Sequence, residues 1–340
     1  MRIMRFVTVA LLAVLVSIAI VPATAQESGE VLTVYSGRSE SLIGPILERF
    51  TEETGIQVEV LYGGSAGLAG QILEEGANSP ADVFIAQDAG ALGAVAKAGL
   101  FAPLPSDILE RVPEEFRSPA GLWVGLSGRA RVLVYNPELL EELGLELPNS
   151  ILDLTSEEWR GRVGWAPTNG SFQANVTAMR VLLGDDATRE WLEGMVANDA
   201  QVYEKNTPIV QAVINGEIPV GLVNHYYLFR FLAEDPSITA HLHFFPGGDP
   251  GALVNVAGAG VLASSDTPGL AQRLLLYLLS NGAQQYFAEE TYEYPLVPGV
   301  EPIVELPPLA SIEAPEIDLS DLDDLQGTLE MLEETGTLDG

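Results

Sequence analysis

Two adjacent phenols, Tyr226 and Tyr227, are the residues of this chain whose type and spacing best suit a specific chemistry. A phenolate is a hard, anionic oxygen donor, and its natural partner is a small, highly charged, hard cation such as ferric ion. Such a cation lowers the pKa of a group that coordinates it, so a phenol that stays protonated near neutral pH can bind as the anion. Two neighbouring rings also serve commonly as packing aromatics, and the pair alone does not choose between these roles. Their setting narrows the choice. The apolar run Ile218-Pro219-Val220-Gly221-Leu222-Val223 reads as a buried strand, and Leu228, Phe229, Phe231 and Leu232 open an amphipathic helix pattern. Asn224-His225-Tyr226-Tyr227 therefore sits at a strand-to-helix turn, at the carboxyl end of a strand, where ligands bind in open α/β sheets.

Other reactive residues offer less. His241-Leu242-His243 alternates on an expected strand, which turns both rings to one side, but no third metal ligand accompanies them. Ser127 lacks the glycine context of a nucleophile elbow. There is no phosphate-binding Walker loop and no dinucleotide fingerprint, since Gly63-Gly64 lacks the remaining glycine spacing. The chain is not expected to be an enzyme.

The elements that must hold the tyrosines alternate. Val31–Ser36, Ile56–Leu61 and Ala81–Ala86 read as strands, with helices expected over 39–54, 68–75 and 89–98. That order indicates a mostly parallel sheet covered by helices. Two extended runs, Val124–Ser127 and Val132–Tyr135, flank Gly128-Arg129-Ala130-Arg131 and read as a crossover into a second α/β unit. There a strand at Arg162–Trp165 and helices over 171–183, 188–196 and 208–214 precede the tyrosine strand. Gly251–Asn255 leads back, helices over 269–279 and 283–289 follow, and an acidic tail ends with a helix over 322–333. The expected fold is α/β with two lobes: two mixed or parallel sheets with flanking helices, joined by two crossover strands. Lobe 1 takes residues 26–130 and 256–306, and lobe 2 takes 131–255 and 307–340. Hinged pairs of this kind place a ligand cleft between the lobes and close on it.

Composition bounds the setting. A chain of 340 residues, 47% of them hydrophobic, can bury two cores. Residues 1–25 read as a cleaved signal peptide: Arg2 and Arg5, an apolar run from Phe6 to Val21, then Ala23-Thr24-Ala25. With no cysteine there is no disulfide, no thiolate metal site and no lipidated cysteine after the signal. A free periplasmic location is expected, with secretion as the alternative. The net charge of −32, with Lys97 and Lys205 the only lysines, makes nucleic acid and anionic membranes poor partners. The acid excess itself is read as a solubility or habitat property.

Taken together, six segments resemble the periplasmic ferric-ion-binding proteins, the substrate-binding components of iron ABC importers, which have the type II periplasmic-binding fold. They are Leu32–Arg38, Pro80–Phe84, Leu126–Val132, Asn224–Tyr227, Asp249–Leu253 and Glu293–Leu296, and they occur in the family's order across the chain. The resemblance implies that Tyr226 and Tyr227 are paired ligands of Fe(3+). It implies that Thr168-Asn169-Gly170-Ser171 is an anion loop at a helix start, helped by Asn206 and Asn224. Free N–H groups and the helix dipole favour an anion there independently, although Asn169 and Ser171 also read as ordinary helix caps. Arg38 and Arg129 are candidates for a counter-anion such as carbonate, phosphate or a small organic anion; the alternative for each is a salt bridge. Where some members carry a histidine this chain has Ser39, Gly64–Gly67 offers no carboxylate, and Phe172 stands where others have a tyrosine. Glu40 is the remaining first-lobe candidate for the metal, set against a plain role as a solvated first-turn acid. The implied partners are an inner-membrane ABC permease with its separate ATPase, and the implied state is a monomer. An alternative with the same fold is a receptor for a phosphonate or other small oxyanion that binds without metal.

Overall fold

The computed structural model describes residues 31–338. The signal peptide expected over residues 1–25 lies outside them. The first lobe opens with β1 (Val31–Ser36), α1 (Glu40–Thr54), β2 (Gln57–Tyr62), α2 (Ser65–Glu75), β3 (Val83–Ala86), α3 (Ala89–Lys97) and the short α4 (Ser106–Leu109). The chain then runs along β4 (Val124–Tyr135) into α5 (Pro137–Leu143), β5 (Val163–Trp165), α6 (Gly170–Leu183), α7 (Asp185–Ala197), β6 (Gln201–Val202), α8 (Asn206–Ile214), β7 (Val220–Asn224), α9 (Tyr226–Glu234) and β8 (His241–His243). It returns along β9 (Val254–Val261) to α10 (Pro268–Leu278), α11 (Asn281–Glu290) and β10 (Tyr294–Pro295), and ends with α12 (Leu325–Glu334).

The strands form one hydrogen-bonded series, β2-β1-β3-β9-β4-β7-β5-β6, with β8 and β10 also on β4. β1, β2 and β3 are parallel to one another, and so are β7, β5 and β6. Between these two parallel sets run β4 and β9, antiparallel to each other and to their outer neighbours. This is the type II periplasmic-binding fold. The crossover predicted as two runs around Gly128–Arg131 is a single twelve-residue strand. Its first half pairs with β9 and its second half with β7, so one strand serves both sheets. Every residue of β4 before Tyr135 is buried, and that explains why the polar residues at its centre did not break it: they are enclosed by the fold rather than turned to its outer surface.

The larger apolar cluster runs without a break from the first lobe through β4 to the side of the second sheet covered by α8 and α9. A second cluster, including Trp159, Trp165, Phe172 and Trp191, fills that sheet's other side. Phe172 stacks on Trp191 and meets Trp165 edge-on, which places it in the core.

The acidic tail is shared between the lobes rather than belonging to the second alone. A single 3-10 turn, Leu319–Asp323, lies along α3, where Leu319 and Leu322 join the first core, and α12 lies on α6, where Met331 and Leu332 join the second. α3 admits the turn because it has glycine at 90 and 93: a Cβ at either would overlap the carbonyl oxygen of Leu322 or Ser320. Lys97 bonds Asp321 and Asp323 on one side, and Arg180 bonds Asp324 on the other. Among the described residues no helix is long and apolar enough to cross a membrane.

Candidate cargo-binding site

A cavity of about 540 Å³ opens between the lobes, and its polar lining comes from the carboxyl ends of strands and the helix starts that follow them. Gly37 follows β1, Gln87 and Asp88 follow β3, Asn169 to Ser171 follow β5, and Tyr226 and Tyr227 follow β7. Arg129 and Arg131 enter from the middle of β4, and the tail contributes Leu322, Asp323 and Leu325.

The two tyrosines open α9, and their rings stack with centroids 4.4 Å apart. Tyr226 is 4% exposed, and burial, with Tyr227 beside it, raises its pKa above the ordinary phenol value. Such a phenol ionises only if a cation replaces the lost solvation. Arg230, one turn along α9, lies over both rings, at 5.2 and 5.5 Å from their centroids.

Behind them a chain of hydrogen bonds orders the anion loop. Asn169 caps α6, its Oδ1 accepting from Ser171 N at 3.0 Å and from Asn206 Nδ2 at 3.3 Å. Asn224 Nδ2 donates to Ser171 Oγ at 3.1 Å, and Asn224 Oδ1 accepts from Arg131 Nη1 at 3.2 Å. Gly170 and Ser171 line the cavity; the next three N–H groups are taken by Asn169, which leaves the Gly170 N–H and the Ser171 hydroxyl as donors at the start of α6. Asn206 stands behind the loop and holds Asn169. Thr168 is exposed outside the cavity, its hydroxyl 3.5 Å from the Glu204 carbonyl oxygen.

Arg131 is 2% exposed and has no acidic partner; its Nε and Nη2 are buried without hydrogen bonds. Burial pushes its pKa down to about 10, against the pull of Tyr226 and Tyr227, so it stays charged at neutral pH. Arg129 is buried beside it with its own Nε unbonded. An uncompensated buried guanidinium is costly, so Arg131, lining the cavity beside Arg129, is suited to receive negative charge, whereas Arg129 already acts on Asp88 and Glu293. Sequence patterns singled out Arg129 but passed over Arg131 and Arg230. The alternation along β4, which puts 129 and 131 on one face, was the available signal.

The first-lobe candidates fall elsewhere. Arg38 does not line the cavity. It is spent on a buried ion pair with Glu293 (2.9 Å) and on Ser127 (3.1 Å), so its alternative role as a salt-bridge residue is the one the geometry gives, inside one lobe. Burial works to raise the Glu293 pKa, but Arg38, Arg129 and the Ser127 hydroxyl outweigh it and hold the carboxyl below its ordinary value. Glu40 is an exposed acid on the first turn of α1 and does not line the cavity either. Ser65 does, but Gly64–Gly67 supplies no acid; the first-lobe carboxylate in the cavity is Asp88. Asp88 caps α3 through Ala91 N; burial raises its pKa, and Arg129 opposes that rise. Gln87 beside it has a buried Oε1 with no partner. Both were hidden in the sequence because a strand-end Gln-Asp before a helix reads as a cap. His241 and His243 lie apart from the cavity on β8, His243 bonded to the Pro148 carbonyl oxygen. Among the described residues no three His, Cys, Asp or Glu side chains cluster in metal-binding geometry.

The model of the bacterial extracellular solute-binding proteins matches residues 78–311. The chain belongs to that family. It is 35% identical to the Fe(3+)-binding periplasmic protein of Serratia marcescens over 93% of each chain. It is 37% identical to the major ferric iron-binding protein of Neisseria meningitidis serogroup B, over 90% of this chain and 92% of that one. Among solved structures it superposes on iron-bound HitA from Pseudomonas aeruginosa with a TM-score of 0.82 and 37% identity, covering 90% of this chain and 99% of that one. Its place among the periplasmic ferric-ion-binding proteins, expected from the six segments, is thereby shown. These relatives are solute-binding proteins, and the chain is a binding protein rather than an enzyme.

Proposed function

We propose that this chain is the periplasmic receptor of an iron ABC importer and carries ferric ion in the interlobe cavity, held by the phenolates of Tyr226 and Tyr227 together with an exogenous anion. The observation that carries the proposal is a stacked phenol pair, Tyr226 of it buried, set beside two buried arginines of which Arg131 lacks an acidic partner. A trivalent cation supplies what the phenols need to ionise, and an oxyanion supplies the counter-charge that Arg131 lacks. The anion would sit between the Gly170 N–H, the Ser171 hydroxyl and the guanidiniums, with carbonate, phosphate and small carboxylates all suited to that donor set. Gln87 and Asp88 are the first-lobe groups that lobe closure would bring to the cargo. The closed form would be what a permease with a separate ATPase engages, with the receptor acting as a monomer.

Binding ionises two phenols and so releases protons, and iron affinity falls as pH falls. Ferric loading of the purified chain should produce a visible phenolate-to-iron charge-transfer band. Tyr226→Phe with Tyr227→Phe should abolish the band and lower iron affinity by several orders of magnitude. Unchanged affinity in the double variant would sink the proposal. A second reading, an oxyanion receptor without metal, draws on the same arginines; calorimetric titration of metal-free protein with phosphate or a phosphonate separates the two, since tight binding without iron favours the second.

A further inference from the structure

His225 precedes the two tyrosines, is fully buried and takes no part in the cavity lining. Its ring is bonded at both ends to parts of the molecule other than its own element. Nδ1 accepts from the Ala130 N–H at 3.1 Å, in the middle of the shared strand β4. Because Nδ1 accepts, the proton lies on Nε2, which donates to the Tyr292 carbonyl oxygen at 2.9 Å. The His225 N–H also bonds the Ala130 carbonyl oxygen at 3.0 Å. Tyr292 belongs to the first lobe, in the turn between α11 and β10, and has φ of 57°, one of two non-glycine residues among those described in the left-handed region. Such backbone is held only where its surroundings over-determine it. Here they do: the His225 ring packs on Tyr294 at 4.8 Å, Phe229 faces Tyr292 at 6.4 Å, and Glu293 between them is locked to Arg38 and Ser127. On its other side the imidazole meets the Tyr226 ring edge-on at 5.7 Å.

We infer that His225 is a positioning residue: a pin through which the geometry of the tyrosine pair on the second lobe is tied to the Tyr292–Tyr294 turn of the first. Cargo that draws Tyr226 and Tyr227 together acts on the start of α9, and the pin passes that displacement to the first lobe at the hinge. The lobes are thus coupled on the hinge side of the cavity as well as across it. A buried histidine kept only to fill space would need neither bond, and a phenylalanine of similar size would replace it. The inference rests on the proposed phenolate–iron site for its cargo readout, but the pin itself does not require metal.

The test compares His225→Phe, His225→Gln and His225→Asn in the full chain. Gln places a donor near the Nε2 position, whereas Asn can imitate only the Nδ1 acceptor. In iron-loaded protein prepared from ferric chloride and bicarbonate, His225→Phe should shift the charge-transfer maximum and speed iron loss to excess EDTA at least tenfold. His225→Gln should recover most of the slow release, and His225→Asn should not. In metal-free wild type, nitrogen-15 NMR of histidine should show the neutral ring of His225 with its proton on Nε2, protected from exchange. Release rates and spectra equal to wild type in all three variants would overturn the inference, as would the opposite tautomer. A wild-type chain that takes up no iron would overturn the iron proposal alone; the pin is then judged by the tautomer and by whether His225→Phe, but not His225→Gln, widens the metal-free molecule in small-angle scattering.

Discussion

At the scale of single residues, the chain concentrates buried charge where β4 crosses the molecule. Arg38 and Glu293 form a pair in which both side chains are at most 1% exposed, with Ser127 completing it. Glu293→Gln leaves the Arg38 charge buried without a partner, which should cost about 3–5 kcal/mol in chemical denaturation at pH 7. The pH dependence has a definite sign. The folded carboxyl titrates below its ordinary value of 4.5, so its contribution is complete above that pH and is lost as pH falls through the lower folded value. The stability gap between wild type and Glu293→Gln should therefore begin to narrow as pH falls below 4.5 and go on narrowing toward the lower folded value; a gap that stays undiminished well below 4.5 would exclude the ion pair as its cause. Arg131 behaves oppositely. Its charge is uncompensated, so Arg131→Met should leave the metal-free protein as stable or more stable while weakening oxyanion binding at least tenfold by titration. Tyr226 and Tyr227 could be read from the sequence because phenol pairs at a strand end are chemically pointed. Asp88 and Gln87 could not, because only the fold shows that the α3 cap also faces the cavity.

At the scale of elements, most helices and strands follow from their apolar periodicity, and the differences lie where tertiary contacts decide. Polar residues at 127, 129 and 131 split β4 in a pattern-based view, yet all three are buried, Ser127 against Arg38 and Glu293 and Arg131 against Asn224, partners distant in sequence. The start of α6 was legible because one residue, Asn169, does the work of a cap. Asn169→Ala should cost about 1 kcal/mol in thermal stability and also weaken anion affinity, since cap and anion loop are the same turn. The docking of the tail on α3 was not legible: the helix expected over 89–98 says nothing of a partner, and the meaning of Gly90 and Gly93 appears only against the Leu319–Asp323 backbone. Gly93→Val should displace that backbone and cost about 1–3 kcal/mol, with faster proteolysis of the tail as the accompanying measurement. Resistance equal to wild type would show that the tail holds without this contact.

At the scale of the whole molecule, three passages of chain join the lobes: β4, β9 and the tail. The two strands are adjacent and antiparallel, and a hinge made of them alone leaves the lobes free to rotate about one line. The tail adds a tie with Lys97 at one end and Arg180 at the other. Deleting residues 319–340 should raise the radius of gyration of metal-free protein and speed the loss of loaded iron; small-angle scattering and chelator competition read the two effects, and an unchanged scattering curve would remove the tail from the account of lobe motion. The expected lobe bounds assign this segment to lobe 2; its acidic composition carries no information about a turn lying on the other lobe.

The same tail has a consequence in time. Ribosomes make Leu322, Asp323 and Leu325 after nearly every other wall of the cavity, yet these residues close one of its sides. A nascent chain can therefore fold most of both cores and still offer an unfinished pocket, and competence to trap a cargo arrives when residues 319–334 dock rather than growing gradually along the polypeptide.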